Sequence, residues 1–593
     1  MKNRRGIMPS ILATKLRFAF LIILIAAVAN ADVRHRAVGK RCGALPPMPL
    51  STPYVLRYDQ LGYLAGGERW AVILSDGQPP PSYRIFDVAT NCAVAEGLAG
   101  PRVLDTTSRA RTRLTGDLIE FTSLQRGRYV VVLADGSQFG PITIGDDVYA
   151  DVIPASMQFF RTQRCGVTCH LFSSVVDGNP LTFSGDGVAV DYGSREHVTE
   201  DSGPRVDVQG GWHDAGDLVK IVSTTAYTLT LHLITLRDHP DLFPNEEMRW
   251  GLDWLLKMID RSDPFLQVGN DGDHDAGFRL PQTDTTTPIP AYDQRPAVRF
   301  ISGAGRNLLA KSAAAFALGA HVYSDHGLLD AARRAYQAAL DRPANQASDP
   351  PGFYAEPETD DDLVLAAAIL YQETKEPVYR DDAFRYAPRL YDFDPGIAWS
   401  SVAALALSET AACFAEGSSE RRDLRDHLVA LVAPLASSYR SPAGPGSAFR
   451  YALPEFGDGS VAESLGAAAA CLAANRIAPD PDYLEVARTQ LHWLFGANPF
   501  GLSFMIGVGQ RFPQHPHHAI AALTGATLTG AIVGGPSRVS IIEGNPSRSD
   551  DYARWSTDDL VYEDVTEDYV VNEPAIDFPA ALIYVLGELT GHP

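Results

Sequence analysis

The pattern of apolar residues changes near Asp151, and this change constrains the fold more than any other feature. Before it, short runs of β-branched and aromatic residues alternate with turn formers, as at 70–74, 83–86 and 129–133. Strands at this spacing indicate a small β-sandwich. After it, apolar residues recur at helical spacing, with loops rich in glycine, proline and aspartate between them. Since 593 residues exceed one ordinary core, we expect a multidomain chain.

Helical spacing recurs along the second part of the chain, where many stretches are rich in alanine and so allow close packing of helices. The predicted helices are 246–260, 308–322, 362–372, 399–414, 461–474, 483–495 and 578–589. The alternation of helices and long loops predicts a ring of helical hairpins whose loops carry the function.

The N-terminus has the features of a secretory signal peptide. Five basic residues precede an apolar run from Phe18 to Val28, and Ala29 and Ala31 occupy the −3 and −1 positions of a cleavage site. We expect removal of residues 1–31 and a secreted or periplasmic protein, because the run is short for a membrane anchor. The formal charge of −22 argues against nucleic-acid and anionic-membrane partners.

The chain has six cysteines, and export would permit disulfides. Cys42 and Cys92 could pair across the first domain, although spacing alone does not fix connectivity. Cys413 and Cys471 lie in alanine-rich helical stretches, where buried thiols are the simplest interpretation.

The stretch Gly210 to Asp217 contains the residue types of a sugar-cleaving site. Asp214 and Asp217 could move protons, and Trp212 offers a flat apolar face for a pyranose ring. The glycines permit a tight backbone path. A plain surface turn is the alternative, since aspartate and glycine are common in turns.

Four widely spaced stretches resemble glycoside hydrolase family 9, in that family's order. They are 210–217; 250–257 followed by 267–269 and 273–274; 495–499 followed by 513–518; and 534–536 followed by 568–575. The segment Tyr58 to Tyr63 is similar to the start of the immunoglobulin-like module found in one branch of the family. The resemblance implies a small all-β immunoglobulin-like sandwich at 50–148, followed by an all-α (α/α)6 barrel at 151–591.

The family also implies a reaction: hydrolysis of β-1,4-glucosidic bonds in cellulose-type glucans or cello-oligosaccharides, with inversion. By resemblance Glu573 is the general acid, Asp217 the general base, and Asp214 helps hold the water. His517 and Tyr569 are implied contacts to the sugar. Inversion requires the acid and base about 6.5–9.5 Å apart, on opposite faces of the sugar. The apolar neighbours of Glu573 predict a raised pKa for this carboxyl.

Several positions depart from the family pattern. Ala519 stands where the family has an arginine, and Phe278 and Gln282 lie nearest to an expected tryptophan and glutamate. Leu365 and Pro579 replace a common tryptophan and asparagine. The acid and the base are retained while several substrate contacts are not. Two alternatives therefore stay open: an exo-β-glucosaminidase acting on chitosan-type oligosaccharides, and a carbohydrate-binding relative without turnover.

Two metal sites are implied. Cys165, Cys169, His170 and His213 could close a tetrahedral structural zinc site, as related members with the immunoglobulin-like module do. A local disulfide or two free thiols is the alternative for the cysteine pair.

Asp361 and Asp362 align with an acidic pair that binds calcium in some members, and Asp394 could add a ligand. Capping of the following helix is the alternative. We expect no organic cofactor. The expected partner is a β-glucan or oligosaccharide substrate, with no nucleic acid, no membrane after signal cleavage, and a monomeric protein.

Overall fold

The structure is a computed structural model that describes residues 41–43, 45–165, 175–176, 179–180, 208, 210–269, 274, 277–279, 300–344, 348–349, 352–356, 358–440, 446–542 and 552–590. The predicted signal peptide at 1–31 lies outside these residues, as do Cys169, His170 and Gln282. No helix among the described residues is long and apolar enough to cross a membrane.

The first part of the described chain forms a two-sheet sandwich, as predicted. One sheet has the strand order β1-β6-β5-β9-β10-β3 and the other β2-β4-β8-β7. All pairs are antiparallel except β10 with β3. The strands are β1 Arg41–Cys42, β2 Tyr54–Arg57, β3 Tyr63–Leu64, β4 Trp70–Asp76, β5 Ser82–Asp87, β6 Cys92–Leu98, β7 Arg102–Thr107, β8 Arg113–Glu120, β9 Gly127–Leu133 and β10 Gln138–Gly145. This arrangement is consistent with an immunoglobulin-like domain.

Four cysteines can be compared with their expectations, and of these Cys413 is less buried than predicted. Cys42 and Cys92 form a disulfide between β1 and β6. Cys471 is a fully buried thiol within a helix, and Cys413 is half-buried at the end of another. The exposed edge strand β1 is thereby fastened to the sheet.

Strand β4 joins the sandwich to the rest of the molecule. Ala71 and Ile73 point into the sandwich core, while Trp70, Val72 and Leu74 belong to the core of the helical part. Both faces of β4 are thus buried, which explains its continuous apolar run. The sandwich and the helical part share one packed interface.

Six inner helices of the described chain form a closed ring. Their order is α2 Val222–Asp238, α4 Arg306–Tyr323, α6 Asp360–Thr374, α8 Ala403–Ala412, α10 Ser460–Asn475 and α15 Asp577–Thr590. Each contacts the next, and α15 contacts both α10 and α2. This closure gives the (α/α)6 barrel. Its inner helices are buried on nearly all sides, so small alanines predominate.

The remaining described helices lie outside this ring or in its loops. They are α1 Val152–Gln163, α3 Glu246–Ile259, α5 His326–Asp341, α7 Pro377–Tyr386, α9 Ser419–Arg440, α11 Pro481–Leu494, α12 Ala519–Thr524, α13 Val539–Ile542 and α14 Tyr569–Asn572. The outer helix α5 shows an amphipathic stripe, since Leu328, Ala331, Ala335 and Ala339 are buried on one side.

Two small sheets complete the fold. The strands β11 Val175–Val176 and β12 Asn179–Pro180 pair with each other. The strands β13 Lys220–Ile221, β14 Phe265–Val268 and β15 Phe300–Ser302 form an antiparallel sheet beside the start of α2. Loops that precede the inner helices meet at this end of the barrel.

Candidate active site

A cleft of about 500 Å³ opens at the N-terminal end of the inner helices. The three predicted catalytic carboxyls and the predicted sugar contacts His517 and Tyr569 all line it. The other lining residues are Ala215, Val219, Ile221, Gln267, His274, Gly277, Phe278, Ser348, Asp349, Phe353 and Tyr354. The structure therefore brings together residues that lie more than 350 positions apart in sequence.

The loop before α2 is held by its own backbone. Asp214 N–H donates to the carbonyl of Val219 at 2.8 Å, and its carbonyl accepts from Ile576 N–H at 2.9 Å. Gly211 has a φ of 71°, and a Cβ there would lie 2.6 Å from the Trp254 ring. The glycines fix the path that presents both aspartates.

Asp214 lies at the buried wall of the cleft. One carboxylate oxygen accepts from the Thr224 hydroxyl and the other from the Tyr354 hydroxyl. Burial raises the pKa of Asp214 to about 6, the two hydroxyls lower it, and the charge of Asp217 adds to the increase. Sequence reasoning missed both hydroxyl donors.

Asp217 stands three residues later, at the more open side of the cleft. Its Oδ1 accepts from Val219 N–H at 2.9 Å, and its Oδ2 lies 2.9 Å from His274 Nδ1. The contact gives a role to His274 of the family motif, because this imidazole orients the carboxylate. His274 itself packs edge-to-face on Phe353.

Glu573 follows the short helix α14 and reaches back to the aspartate loop. Its Oε1 accepts from Gly216 N–H at 3.1 Å. Burial raises the pKa of Glu573 to about 8, helped by the negative charge of Asp217. A Cβ on Gly216 would clash with the His517 carbonyl and lie 3.0 Å from Glu573 Oε1. Only glycine allows this approach.

His517 and Tyr569 form one rim of the cleft. His517 Nδ1–H donates to the Thr566 carbonyl at 2.6 Å, which leaves Nε2 as the ring nitrogen free to accept. Burial lowers the pKa of His517. The Tyr569 side chain is 53% exposed, and its ring centre lies 6.1 Å from that of His517. Both can contact a sugar.

The structure contradicts the prediction that Trp212 contacts the substrate. Its side chain is fully buried, packs 5.3 Å from the Phe160 ring, and donates its indole N–H to Glu247 at 3.0 Å. Because Glu247 also binds Arg164, the tryptophan belongs to the support of the loop. The prediction assumed that the Trp212 side chain points into the same cleft as the side chains of Asp214 and Asp217.

The positions that depart from the family pattern lie in different parts of the structure. Ala519 begins α12, is 2% exposed, and donates its N–H to the Gly216 carbonyl at 2.8 Å. Leu365 and Pro579 are buried within α6 and α15 and do not line the cleft. Phe278 does line it, with its ring 4.6 Å from His517. Among the departures that the structure describes, Ala519 and Phe278 bear directly on the site.

Of the four predicted zinc ligands, the structure describes Cys165 and His213. Cys165 N–H donates to the Gly211 carbonyl and His213 N–H to the Gln163 carbonyl, around an antiparallel bridge between Arg164 and Trp212. Alternation along paired strands places the buried side chains of Cys165 and His213 on the same face. Cys169 and His170 lie outside the described residues, and the described part contains no cluster of three metal-binding side chains.

The predicted calcium ligands have another partner. The buried ammonium of Lys311 bonds Glu356 and lies 2.6 Å from Asp362 Oδ2. Asp361 Oδ2 accepts from Val402 N–H at 2.7 Å. Asp394 accepts from Gly396 N–H and lines a separate cleft. The ammonium of Lys311 thus stands beside Asp362 where a calcium ion would otherwise lie.

A second cleft of about 1060 Å³ adjoins the first. The Trp399 ring lines it and lies 5.1 Å from the Tyr354 ring of the first cleft. Among its described lining residues are Arg389 and Arg538, each paired with a carboxylate, and seven acidic side chains: Glu358, Asp392, Asp394, Glu455, Asp458, Glu463 and Asp577. The second cleft is therefore strongly negative.

Comparison with known proteins agrees with this geometry. The family described as Glycosyl hydrolase family 9 matches residues 149–586. The xyloglucan-specific endo-β-1,4-glucanase BoGH9A of Bacteroides ovatus is 25% identical over 90% of this chain and 93% of its own. Endoglucanase C of Cellulomonas fimi is 26% identical over 89% of this chain and 51% of its own.

Solved structures show the same fold. A metagenome-derived family 9 endoglucanase superposes with a TM-score of 0.71 at 25% identity, covering 91% of this chain and 99% of its own. A Zn-binding triple mutant of the family 9 endoglucanase J30 gives 0.71 at 26% identity, over 88% and 99%. The chain is thus a glycoside hydrolase, and it belongs to glycosyl hydrolase family 9.

Proposed function

We propose that this protein hydrolyses β-1,4-linked glucan chains or cello-oligosaccharides with inversion, using Glu573 as general acid and Asp217 as general base. The observation that carries the proposal is the hydrogen bond from Gly216 N–H to Glu573. It holds a half-buried carboxyl beside the aspartate loop, where an acid and a base can act on one bond.

The two carboxyls have different surroundings, which suits different roles. A pKa of about 8 keeps Glu573 protonated at neutral pH, ready to protonate the leaving oxygen. Asp217 has its two oxygens oriented by Val219 N–H and by His274. It would accept a proton from the attacking water, which then adds to the anomeric carbon opposite the leaving group.

Asp214 would hold that water together with Asp217. Its oxygens already accept from Thr224 and Tyr354, and each oxygen retains a second lone pair for a water proton. His517 Nε2 would accept from a sugar hydroxyl, and the exposed Tyr569 ring would pack on the sugar face.

Substitution of the acid tests this assignment. We expect Glu573→Gln to lose at least about a hundredfold in kcat on β-glucan while keeping its Tm, because an amide cannot supply the proton. Glu588→Gln, in the last turn of the inner helix α15 and outside the residues that line the cleft, is the control and should retain turnover. Full activity of Glu573→Gln would contradict the assignment.

The substrate is proposed from the relatives. The relatives named above are described as endo-β-1,4-glucanases or endoglucanases, one of them xyloglucan-specific. Product analysis on barley β-glucan, xyloglucan, carboxymethylcellulose and cello-oligosaccharides should show glucan cleavage, and ¹H NMR should show α-anomers as the first product. A β-anomer would exclude inversion.

An exo-β-glucosaminidase is a second candidate, favoured by the charge of the second cleft. Asp577 is only 8% exposed, and its carboxyl has no hydrogen-bond partner among the described residues beyond its own backbone. Desolvation in the cleft, together with nearby Asp394 and Asp458, raises the pKa of Glu463 to about 7. A protonated aminosugar would offset the charge of the other carboxylates that line this cleft and favour ionisation of Glu463. Cleavage of chitosan oligosaccharides but not of glucans would select this candidate.

A carbohydrate-binding role without turnover is the remaining alternative from the sequence. Isothermal titration with cello-oligosaccharides and chitosan oligosaccharides, followed by long incubation, separates binding from hydrolysis. Tight binding with no product would replace the hydrolase proposal.

We propose a structural zinc held by Cys165, Cys169, His170 and His213. The shared face of Cys165 and His213 supports it, and zinc would there brace the loop that carries Asp214. Elemental analysis should give one zinc per chain, and Cys165→Ser should lose the metal and lower the Tm. A folded, metal-free protein would exclude the site.

We also propose export after removal of residues 1–31. N-terminal sequencing of the protein recovered from the medium or periplasm should begin at Asp32.

A further inference from the structure

The strongest feature outside the catalytic residues is the buried cluster around Lys311. This residue lies in α4, is 4% exposed, and bonds Glu356 and Asp362. Asn307 donates to the other oxygen of Glu356 at 2.7 Å. Both oxygens of Glu356 are therefore fixed by a single inner helix.

Lys311 carries its charge inside the barrel. Burial alone would lower its pKa, but Asp362, Glu356 and Asp361 outweigh burial and raise it. One ammonium therefore faces three acidic side chains. Burial raises the pKa of Asp361 to about 6 and raises that of Asp362 well above its usual range, although the charge of Lys311 lowers both.

The cluster is connected to the catalytic site through two loops. Glu356 lies two residues after Tyr354, whose hydroxyl bonds Asp214. Asp361 accepts from Val402 N–H, three residues after Trp399, whose ring packs on Tyr354. The segments that bear Tyr354 and Trp399 are thus tied to the same buried charges.

We propose that Lys311 is the resident cation of this cluster, in place of a bound calcium ion, and that through Glu356 it positions Tyr354 on Asp214. The positioning part of this inference rests on the proposed function; the cation part does not. Lys311 is a positioning residue, because it does not line the cleft and would act through Glu356 and Tyr354.

The first test replaces the charged side chain of Lys311 with an uncharged side chain of similar length. Lys311→Met should lower kcat about tenfold or more with little change in KM, because a loosened Tyr354 misplaces Asp214. The acidic limb of the pH profile should move upward, as in Tyr354→Phe. Adding Lys311→Met to Tyr354→Phe should cost no further activity, whereas independent, additive losses would overturn the positioning role.

The second test supplies a cation. In Lys311→Ser the smaller side chain leaves space beside oxygen ligands that suit calcium. Millimolar CaCl₂ should raise the Tm of this variant and restore kcat about tenfold, while the wild type stays unchanged. No response of Lys311→Ser, or a wild type that loses activity to a calcium chelator and regains it with CaCl₂, would overturn the cation role.

Two controls keep the outcome interpretable. Lys311→Arg retains the charge and should keep the wild-type pH profile even if its Tm falls; a profile like that of Lys311→Met would contradict the proposal. Glu409→Gln removes the buried ion pair between Glu409 and Arg237, and Arg237 lies in the last turn of α2, away from the cleft. This variant should lower the Tm without changing the pH profile of activity. If no substrate is cleaved, the proposed function fails, but the calcium response of the Tm still tests the cation role.

Discussion

At the residue scale, Gly216 is the most constrained position of the site. Its N–H donates to Glu573, the proposed acid, its carbonyl accepts from Ala519, and a side chain would clash with the His517 carbonyl. We expect Gly216→Ala to lower kcat at least about a hundredfold, because a displacement near 1 Å misplaces the acid. Steady-state kinetics on β-glucan will measure it. Gly277→Ala, at a cleft position with open space, is the steric control, although its φ of 71° adds strain.

The pH profile tests the carboxyl assignments together. Glu573 must be protonated, so activity should fall as pH rises through about 8. Asp214 must be ionised to hold the water, so activity should rise as pH increases through about 6. Asp217, Glu573 and Asp577 all face Asp214, so the observed limbs belong to the coupled set.

Tyr354→Phe should move only one of these limbs. The hydroxyl lowers the pKa of Asp214 by donating to it, so its removal should shift the acidic limb of kcat upward and leave the basic limb in place. An unchanged acidic limb would mean that Asp214 need not be ionised.

At the element scale, helix α3 supports the catalytic loop through Trp212. Glu247 of α3 accepts the indole N–H, and the ring fills the space above Gly251. We expect Trp212→Phe to cost about 1–3 kcal/mol of stability through the lost hydrogen bond to a charged group. KM should stay unchanged, since the ring does not reach the cleft. Denaturant unfolding and kinetics measure the two effects, and a raised KM with unchanged stability would restore the sugar-contact role.

Sequence periodicity predicted some helices well and missed others for physical reasons. The prediction at 246–260 matches α3, whereas α2 was missed because it is buried on nearly every side and shows no apolar stripe. The prediction at 399–414 was too long at its start, where Trp399 lies in the loop and lines the second cleft.

The candidate site was predictable only where residues form short motifs. Asp214, Asp217 and Glu573 line one cleft as predicted. Tyr354 and Lys311 carry no motif, because their roles depend on partners 140 and 45 to 51 positions away. Such contacts arise only when the ring closes.

At the scale of the whole molecule, the sandwich is fastened to the barrel by a buried polar contact. Asp59 is fully buried, accepts from the Tyr149 hydroxyl at 2.6 Å, and lies 2.9 Å from His492 Nδ1 in α11. The Tyr58 to Tyr63 motif, which carried the resemblance in the first domain, thus belongs to the interface. Nearby, Arg57 Nε donates to the Pro499 carbonyl at 2.8 Å.

We expect Asp59→Ala to destabilise the whole protein by about 3–5 kcal/mol, because it leaves the buried Tyr149 and His492 without their shared acceptor. The sandwich and the barrel share a core through β4, so both should melt earlier in one transition. Differential scanning calorimetry will show this. Asp105→Ala, which removes an exposed pair with Arg113, is the control and should change the Tm little. If the sandwich or the barrel alone melts early, the two domains unfold independently and Asp59 stabilises only one of them.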